Sequence, residues 1–141
     1  MHTPFFVKFL PISRYIYLMD QILYNLTQHQ ATEEQKAQGV VDLEPKAASE
    51  VRELLTFEDI PSKEEMGSRA KRIASLAVDM NAEAAMIGGA PYFMSSLEVA
   101  LKEAGIRPLY AFSRRESVDK RQPDGTVVKT AVFRHLGFVE V

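Results

Sequence analysis

The sequence contains no cysteine. This absence excludes disulfide bonds, thiolate metal sites and a cysteine nucleophile, and it fits the reducing cytoplasm, which is the location we expect. There are only three histidines, His2, His29 and His135, and none of the histidine spacings typical of zinc enzymes occurs. We therefore expect no bound metal and no cofactor.

Long apolar runs and glycine fingerprints for nucleotides are also missing. Residues 1–18 are rich in aromatic side chains, but Pro4, Pro11 and Arg14 interrupt them. They therefore form neither a membrane-spanning stretch nor the apolar core of a signal peptide. The pattern G-x-G-x-x-G is absent, and no G-K-[ST] follows the glycines, so neither a dinucleotide fingerprint nor a P-loop is present.

The chain is large enough for one domain with a core, since it has 141 residues of which 46% are hydrophobic. The regular pattern of apolar and polar residues that is typical of strands and helices begins only near Met19. We expect an N-terminal extension over residues 1–18 and a single Rossmann-like domain over residues 19–141.

Charge is distributed unevenly along the chain. Residues 107–135 contain seven lysines or arginines against three acids, whereas the whole chain has a net charge of -2. This asymmetry disfavours non-specific coating of DNA, which needs a broadly basic surface, and favours a local anion site near the C-terminus. The same charges are also compatible with a solvated β-hairpin.

Apolar periodicity predicts an α/β domain. Short strands are expected over residues 21–26, 40–43, 84–87, 108–112 and 136–141, with helices beginning after Thr32, at Pro45, after Ser62 and at Pro91. Residues 84–112 are predicted to form a βαβ unit whose helix ends at Gly105 in a left-handed conformation. The turn Asp124-Gly125 predicts a hairpin from about Val118 to His135. The expected fold is a small three-layer domain with a mainly parallel sheet and a C-terminal β-hairpin.

The polar groups that follow the strands are the candidate site. Parallel strands bring their carboxyl ends to one sheet edge, where α/β proteins bind ligands. On this basis we expect two glycines, a histidine-containing loop and a pair of arginines to meet, with His135 as a less direct contributor. The candidate residues are Asn25, Thr27, Gln28, His29, Gly88, Gly89, Ala90, Arg114, Arg115 and His135. Free N–H groups at a helix start together with a guanidinium complement a phosphate.

At these residues the sequence resembles the small CRISPR-associated proteins of the ring-nuclease group, which are Rossmann-like domains that bind cyclic oligoadenylate messengers. The resemblance covers about Asp20 to Val141, and its densest part is Pro108–Ser117, with the sequence PLYAFSRRES. The other matching stretches are Leu26–His29, Ala31–Gln35, Met86–Phe93, Asp124–Gly125 and Val132–His135. Thr27-Gln28-His29 stands where the family pairs a serine with a histidine.

The resemblance implies that the chain binds a cyclic oligonucleotide and cleaves it by attack of a ribose 2'-hydroxyl on the neighbouring phosphate. Such a reaction needs alignment and charge stabilisation, so no metal is required. In this hypothesis the N–H groups of Gly89 and Ala90 and either Arg114 or Arg115 hold phosphates, while His29 accepts or orients the hydroxyl proton. A symmetric ring favours a two-fold homodimer.

Two other functions are compatible with the same residues. The pocket could belong to a sensor or sponge that binds the nucleotide without cleaving it, since only one base candidate is present. Alternatively, the chain could be a small α/β interaction module whose apolar extension docks a protein partner, with Arg114 and Arg115 as ordinary ion-pair residues.

Overall fold

The computed structural model describes residues 22–141, which form five strands and four helices. The elements are β1 Leu23–Asn25, α1 Glu33–Ala37, β2 Val40–Val41, α2 Pro45–Leu55, α3 Lys63–Asp79, β3 Ala84–Ile87, α4 Pro91–Glu103, β4 Arg107–Arg121 and β5 Val127–Glu140. The predicted extension over residues 1–18 and the predicted domain boundary at Met19 lie outside the described residues.

All five strands form one sheet in the order β2-β1-β3-β4-β5. The neighbours from β2 to β4 are parallel, and β5 runs antiparallel to β4. The chain leaves β1 towards β2 at one edge and then returns to β3 on the other side of β1. This is the 2-1-3-4-5 order of flavodoxin-like folds, in which the direction of winding reverses between β1 and β3.

The helices begin where their capping residues predict. Thr32 and Gln35 form a complete capping box at α1, with both reciprocal hydrogen bonds present. At α3 only half of the expected box forms: Ser62 Oγ accepts from Glu65 N at 3.0 Å, while the Glu65 carboxylate pairs with Arg69. Gly105, which follows α4, has a φ of +80°, which confirms the predicted left-handed position.

Both faces of the sheet are covered by apolar contacts. Successive residues of β3 point to opposite faces, so Ala85 and Ile87 join a large core that includes α2, α3 and α4. Ala84 and Met86 belong to a smaller cluster on the other face, which also contains Ala31, just before α1. The predicted mixed α/β class, with a mainly parallel sheet and a C-terminal hairpin, is confirmed.

The hairpin is longer and more continuous than the sequence predicts. The predicted strand ends at Phe112 and the predicted hairpin begins near Val118, but residues 113–117 continue β4, which pairs with β5 as far as Arg121↔Val127. The separate final strand expected from Leu136 is likewise the end of β5, beyond an irregularity between Phe112 and Ser113. The expectation failed because both faces of this ribbon are exposed, so its sequence lacks the alternation of a half-buried strand.

Among the residues that the structure describes, no helix combines the length and apolarity needed to cross a membrane.

Candidate functional site

The point at which the winding reverses lies between the carboxyl ends of β1 and β3. Pairing between these strands continues one residue beyond β1, where Leu26 N donates to Met86 O at 2.9 Å. The loops that follow the two strands then diverge, one towards α1 and the other into α4. Divergence of this kind opens a crevice at the sheet edge, which is where doubly wound α/β domains bind ligands.

Asn25 organises the loop that follows β1. Its side chain is only 4% exposed. Nδ2 donates to His29 O at 2.7 Å and to Asp42 Oδ1 at 2.8 Å, while Oδ1 accepts from Thr27 N at 2.9 Å and Thr27 Oγ1 at 2.7 Å. The NH2 group and the carbonyl oxygen of the side-chain amide are therefore both hydrogen-bonded within the protein. Asn25 was predicted to bind ligand; in the structure its hydrogen bonds set the shape of the loop, and it also lines a cleft beside that loop.

Three residues of this loop, Thr27, Gln28 and His29, line the crevice. Thr27 and Gln28 are partly buried, and His29 is exposed. Gln28 Nε2 donates to Thr56 Oγ1 at 3.0 Å, which ties this loop to the end of α2. The imidazole of His29 makes no hydrogen bond or ion pair with another residue of 22–141, so it is free to contact a ligand.

The glycine turn after β3 approaches the same loop closely. A β-carbon at Gly88 would lie 3.6 Å from Cγ2 of Thr27. Gly89 has a φ of +152°, and a β-carbon there would lie 3.3 Å from Cε of Met94 and 3.8 Å from Cδ2 of Leu55. The φ of Gly89 lies where glycine is favoured, and a side chain there would also require the flexible end of Met94 to shift by a few tenths of an ångström.

Three successive backbone donors are unused at this turn. Within residues 22–141, the N–H groups of Gly88, Gly89 and Ala90 donate to no other group. Ala90 is the N-cap of α4 and supplies no capping side chain, and Pro91 occupies the first turn. A row of unpaired N–H groups at the positive end of a helix dipole is suited to binding an anion.

The two loops enclose a cleft of about 390 Å³, here called the switch cleft. It is lined by Thr27, Gln28, His29, Gln35, Met86, Ile87, Gly88, Gly89, Tyr110 and Ala111. Tyr110 donates from its hydroxyl to Glu98 Oε2 at 2.7 Å. Burial and this contact with a carboxylate raise the pKa of Tyr110, so the phenol stays protonated at neutral pH.

A second cleft of about 290 Å³ adjoins the first and shares Thr27, Gln28 and His29 with it. Its remaining lining includes Asp42, Pro45, Ala48 and Arg52. Arg52 is exposed, and its guanidinium forms no ion pair with any residue from 22 onward. Sequence reasoning missed Arg52, although the spacing of Pro45, Ala48 and Arg52 places them on one face of α2.

The arginine pair does not reach the switch cleft. Ile87 pairs with Tyr110, so Arg114 lies four residues further along β4, about 13 Å beyond the last β3 pair. Arg114 and Arg115 also point to opposite faces of the ribbon, because they are neighbours in a strand. The prediction that both would meet the glycine turn is therefore wrong.

Arg114 is engaged in a local ion-pair cluster. Its Nη2 lies 2.9 Å from Oε2 of Glu116, whose Oε1 accepts from Arg134 Nε at 3.0 Å. These two hydrogen bonds hold the pKa of the Glu116 carboxyl below its usual range. Such a bridged carboxylate is a structural feature of the ribbon surface, which leaves Arg114 without the catalytic position that we expected.

His135 is buried on the α1 side of the ribbon and does not line either cleft. Its Nε2 lies 3.0 Å from Oε1 of Gln38, and its ring meets Phe138 edge to face at a centroid distance of 5.0 Å. Nδ1 is buried with no hydrogen-bond partner within the described chain. Burial lowers the pKa of His135, an effect that the charge of Glu34 opposes. Strand alternation predicts that Arg134 and His135 point to opposite faces, and of the two only His135 is buried.

The sequence profile described as the uncharacterized protein MJ1673 family matches residues 21–139. The chain belongs to the MJ1673 family. The matched range covers the whole sheet apart from the last residue of β5, and it includes both loops of the switch cleft. No curated protein and no solved structure is significantly similar to the chain.

In the structure of this MJ1673 family member, no cluster of three or more histidine, aspartate or glutamate side chains within residues 22–141 is arranged to hold a metal ion. The polar groups at the switch cleft are instead backbone N–H groups, two hydroxyls, two carboxamides and an imidazole, from Thr27, Tyr110, Gln28, Gln35 and His29. Together with Arg52 they complement negative charge and can donate several hydrogen bonds to phosphate oxygens.

Proposed function

We propose that this chain binds a phosphate-bearing nucleotide of the cyclic oligoadenylate type, with one phosphate at the glycine turn of the switch cleft. The observation that carries the proposal is the row of three unpaired N–H groups at Gly88, Gly89 and Ala90. A ligand that displaces water from these donors must accept hydrogen bonds from them to offset the free-energy cost of removing that water. A phosphate oxygen is the acceptor that best fits the helix dipole.

The charges around the cleft support an anionic ligand. Arg52 lines the adjoining cleft and forms no ion pair within residues 22–141, so its guanidinium can take a second phosphate. Arg52 takes the phosphate-binding role that was predicted for Arg114 or Arg115. A planar guanidinium can donate two parallel hydrogen bonds to phosphate, which makes Arg52 a binding residue with geometric preference as well as charge.

The size of the cleft limits how much of a ring one chain contacts. A volume of about 390 Å³ is near the lower end of the range for ligand pockets, about 300–1,000 Å³. One chain would then enclose about one nucleotide of a cyclic tetramer. We therefore include a two-fold homodimer in the proposal, since two equal sites can contact opposite phosphates of a symmetric ring.

Cleavage is the further step of this proposal, and His29 is the residue assigned to it. The 2'-oxygen of a ribose would attack phosphorus and form a 2',3'-cyclic phosphate while His29 accepts the hydroxyl proton. The bond to the 5'-oxygen would break, and water would protonate that oxygen. The N–H groups at the glycine turn would stabilise the charge that develops on the phosphate oxygens. Because the described residues offer His29 no carboxylate partner, binding without cleavage is the second function that the site supports.

Calorimetry and chromatography of the purified full chain with cyclic tetra-adenylate and cyclic hexa-adenylate test both steps. Gly88→Ala is the main variant, because its methyl would enter the gap beside Thr27 at an ordinary contact distance of 3.6 Å without backbone strain. Gly67→Ala is its matched control, since a β-carbon at Gly67 in α3 meets nothing within 4 Å. Arg52→Gln, with Lys71→Gln as control, tests the guanidinium.

We expect Arg52→Gln to weaken binding by about tenfold or more, the size of a lost hydrogen bond to a charged group. Gly88→Ala keeps its backbone N–H, and we expect it to weaken binding because its methyl narrows the gap between the glycine turn and Thr27. The controls should bind as the unmodified chain does. Product formation that disappears in His29→Ala would support cleavage, whereas tight binding with unchanged ligand would support the sponge. Failure of both cyclic nucleotides to bind would refute the proposed function.

A further inference from the structure

The distal part of the β4–β5 hairpin, residues 113–135, extends beyond the rest of the sheet and is called the arm. From Ser113 to Arg121 its strands pair only with each other, over a length of about 30 Å. His135, at the base, is the buried residue of the arm. Two-stranded ribbons without further packing are marginally stable in water.

Apolar side chains are exposed along the arm. Phe133 is 71% exposed, and Val127 and Val128 are 53% and 47% exposed. Phe133 lies opposite Arg115 in the ladder, so an aromatic ring and a guanidinium share one face. Exposed aromatic and arginine side chains are the residue types enriched at the centre of protein interfaces.

The arm is also basic. Residues 113–135 contain six lysines or arginines and three carboxylates. Arg114 and Arg134 share Glu116, and Lys129 pairs with Asp119 at 3.0 Å. Arg115, Lys120 and Arg121 form no ion pair with another described residue, so their charge is available to a partner.

A surface of opposite charge lies at the same edge of the sheet. Residues 53–65, called the acidic corner, join α2 to α3 and contain five carboxylates against one lysine. Glu65 pairs with Arg69, whereas Glu58 and Asp59 form no ion pair within residues 22–141. Beside them Ile60 is 98% exposed. The bond from Gln28 to Thr56 fixes this corner at the carboxyl end of the strands, from which the arm also projects.

We propose that the arm docks on the acidic corner of a second copy of this chain, in a reciprocal two-fold dimer. The arm supplies cations around exposed Phe133 and valines, and the corner supplies carboxylates around exposed Ile60, so both charge and apolar surface are complementary. Because both surfaces belong to one chain, a two-fold axis forms the contact twice. The inference rests on these two surfaces and does not require that the cleft bind a nucleotide.

Charge reversal in the full chain tests the contact. The arm variant is Arg115→Glu with Arg121→Glu, and the corner variant is Glu58→Lys with Asp59→Lys. All four side chains are exposed. Lys71→Glu, a reversal on the exposed surface of α3, is the control. Sedimentation velocity at several protein and salt concentrations measures the dimer dissociation constant.

The unmodified chain and Lys71→Glu should form dimers that weaken with added salt. Each double reversal alone should weaken the dimer by about tenfold or more. A mixture of the arm and corner variants should form a heterodimer, because each then presents the complement of the other. Circular dichroism of every variant checks that the fold is retained.

A monomer at all concentrations would overturn the proposal, as would reversals that leave the dimer unchanged. Failure of the mixed variants to associate would also overturn it. If the chain is monomeric and the arm variant instead loses binding to single-stranded RNA, the arm is a nucleic-acid surface and the dimer proposal is wrong. Calorimetry with cyclic tetra-adenylate on the same variants separates this result from the proposed function of the cleft.

Discussion

Replacing Asn25 by alanine should destabilise the protein far more than its short side chain suggests. The substitution removes two donated and two accepted hydrogen bonds at a residue that is 4% exposed. It leaves Asp42 Oδ1, His29 O and Thr27 N each with one partner fewer. Three neutral hydrogen bonds at about 1 kcal/mol each, and one to the Asp42 carboxylate at about 1.5–3 kcal/mol, predict a loss of about 4.5–6 kcal/mol in the free energy of unfolding.

Urea denaturation at 25 °C, analysed by linear extrapolation, measures this loss. Gln28→Ala is the matched control from the same loop, because its bond to Thr56 is exposed and should contribute less than about 1 kcal/mol. The isosteric Asn25→Asp provides a second perturbation, since it would place a carboxylate 2.8 Å from Asp42 Oδ1. It should be least stable at neutral pH and recover as the pH falls and one carboxyl becomes protonated. A loss for Asn25→Ala no larger than that for Gln28→Ala would refute the role assigned to Asn25.

Three other substitutions test individual features of the fold. Burial holds the pKa of His135 below its ordinary value, so its contribution to the free energy of unfolding should be fully present above about pH 6.5 and fall as the pH drops below it. In urea titrations at pH 7.5 and 5.5, His135→Gln should reduce this pH dependence. Arg69 donates to three carbonyls at the end of α2 and stacks 4.4 Å from the centroid of Phe57. Arg69→Lys should therefore lower the free energy of unfolding by about 1–3 kcal/mol although it keeps the charge. An unchanged denaturation midpoint would contradict this. Gly105→Ala should cost about 1–2 kcal/mol from backbone strain alone at φ +80°, while Gly67→Ala inside α3 should stabilise the protein by about 0.5–1 kcal/mol in the same assay.

The sequence predicted the elements whose signals are local. The capping residue Thr32, the glycine stop at Gly105 and the apolar run of β3 were interpreted correctly, because each depends on neighbouring residues only. From these elements the parallel pairing of β3 and β4 followed, and so did the meeting of Thr27–His29 with Gly88 at one edge. This part of the candidate site is where the sequence placed it.

The arginine positions could not be predicted because they depend on the length of a strand that is exposed on both faces. Because the predicted strand ended at Phe112, Arg114 and Arg115 were expected to meet the glycine turn at Gly88. Once the same residues are in a strand, alternation separates the pair and carries it away from the cleft. Arg52 was missed for a related reason, since its contribution comes from how α2 lies beside the loop after β1.

The most direct test of the proposed site is a titration of the isotope-labelled full chain with cyclic tetra-adenylate, followed through the backbone amide signals in NMR spectra. If the glycine turn binds a phosphate, the largest changes should occur at Gly88, Gly89 and Ala90, with smaller changes at Thr27 to His29. Changes confined to the arm, or no change at these three amides at saturating ligand, would contradict the account.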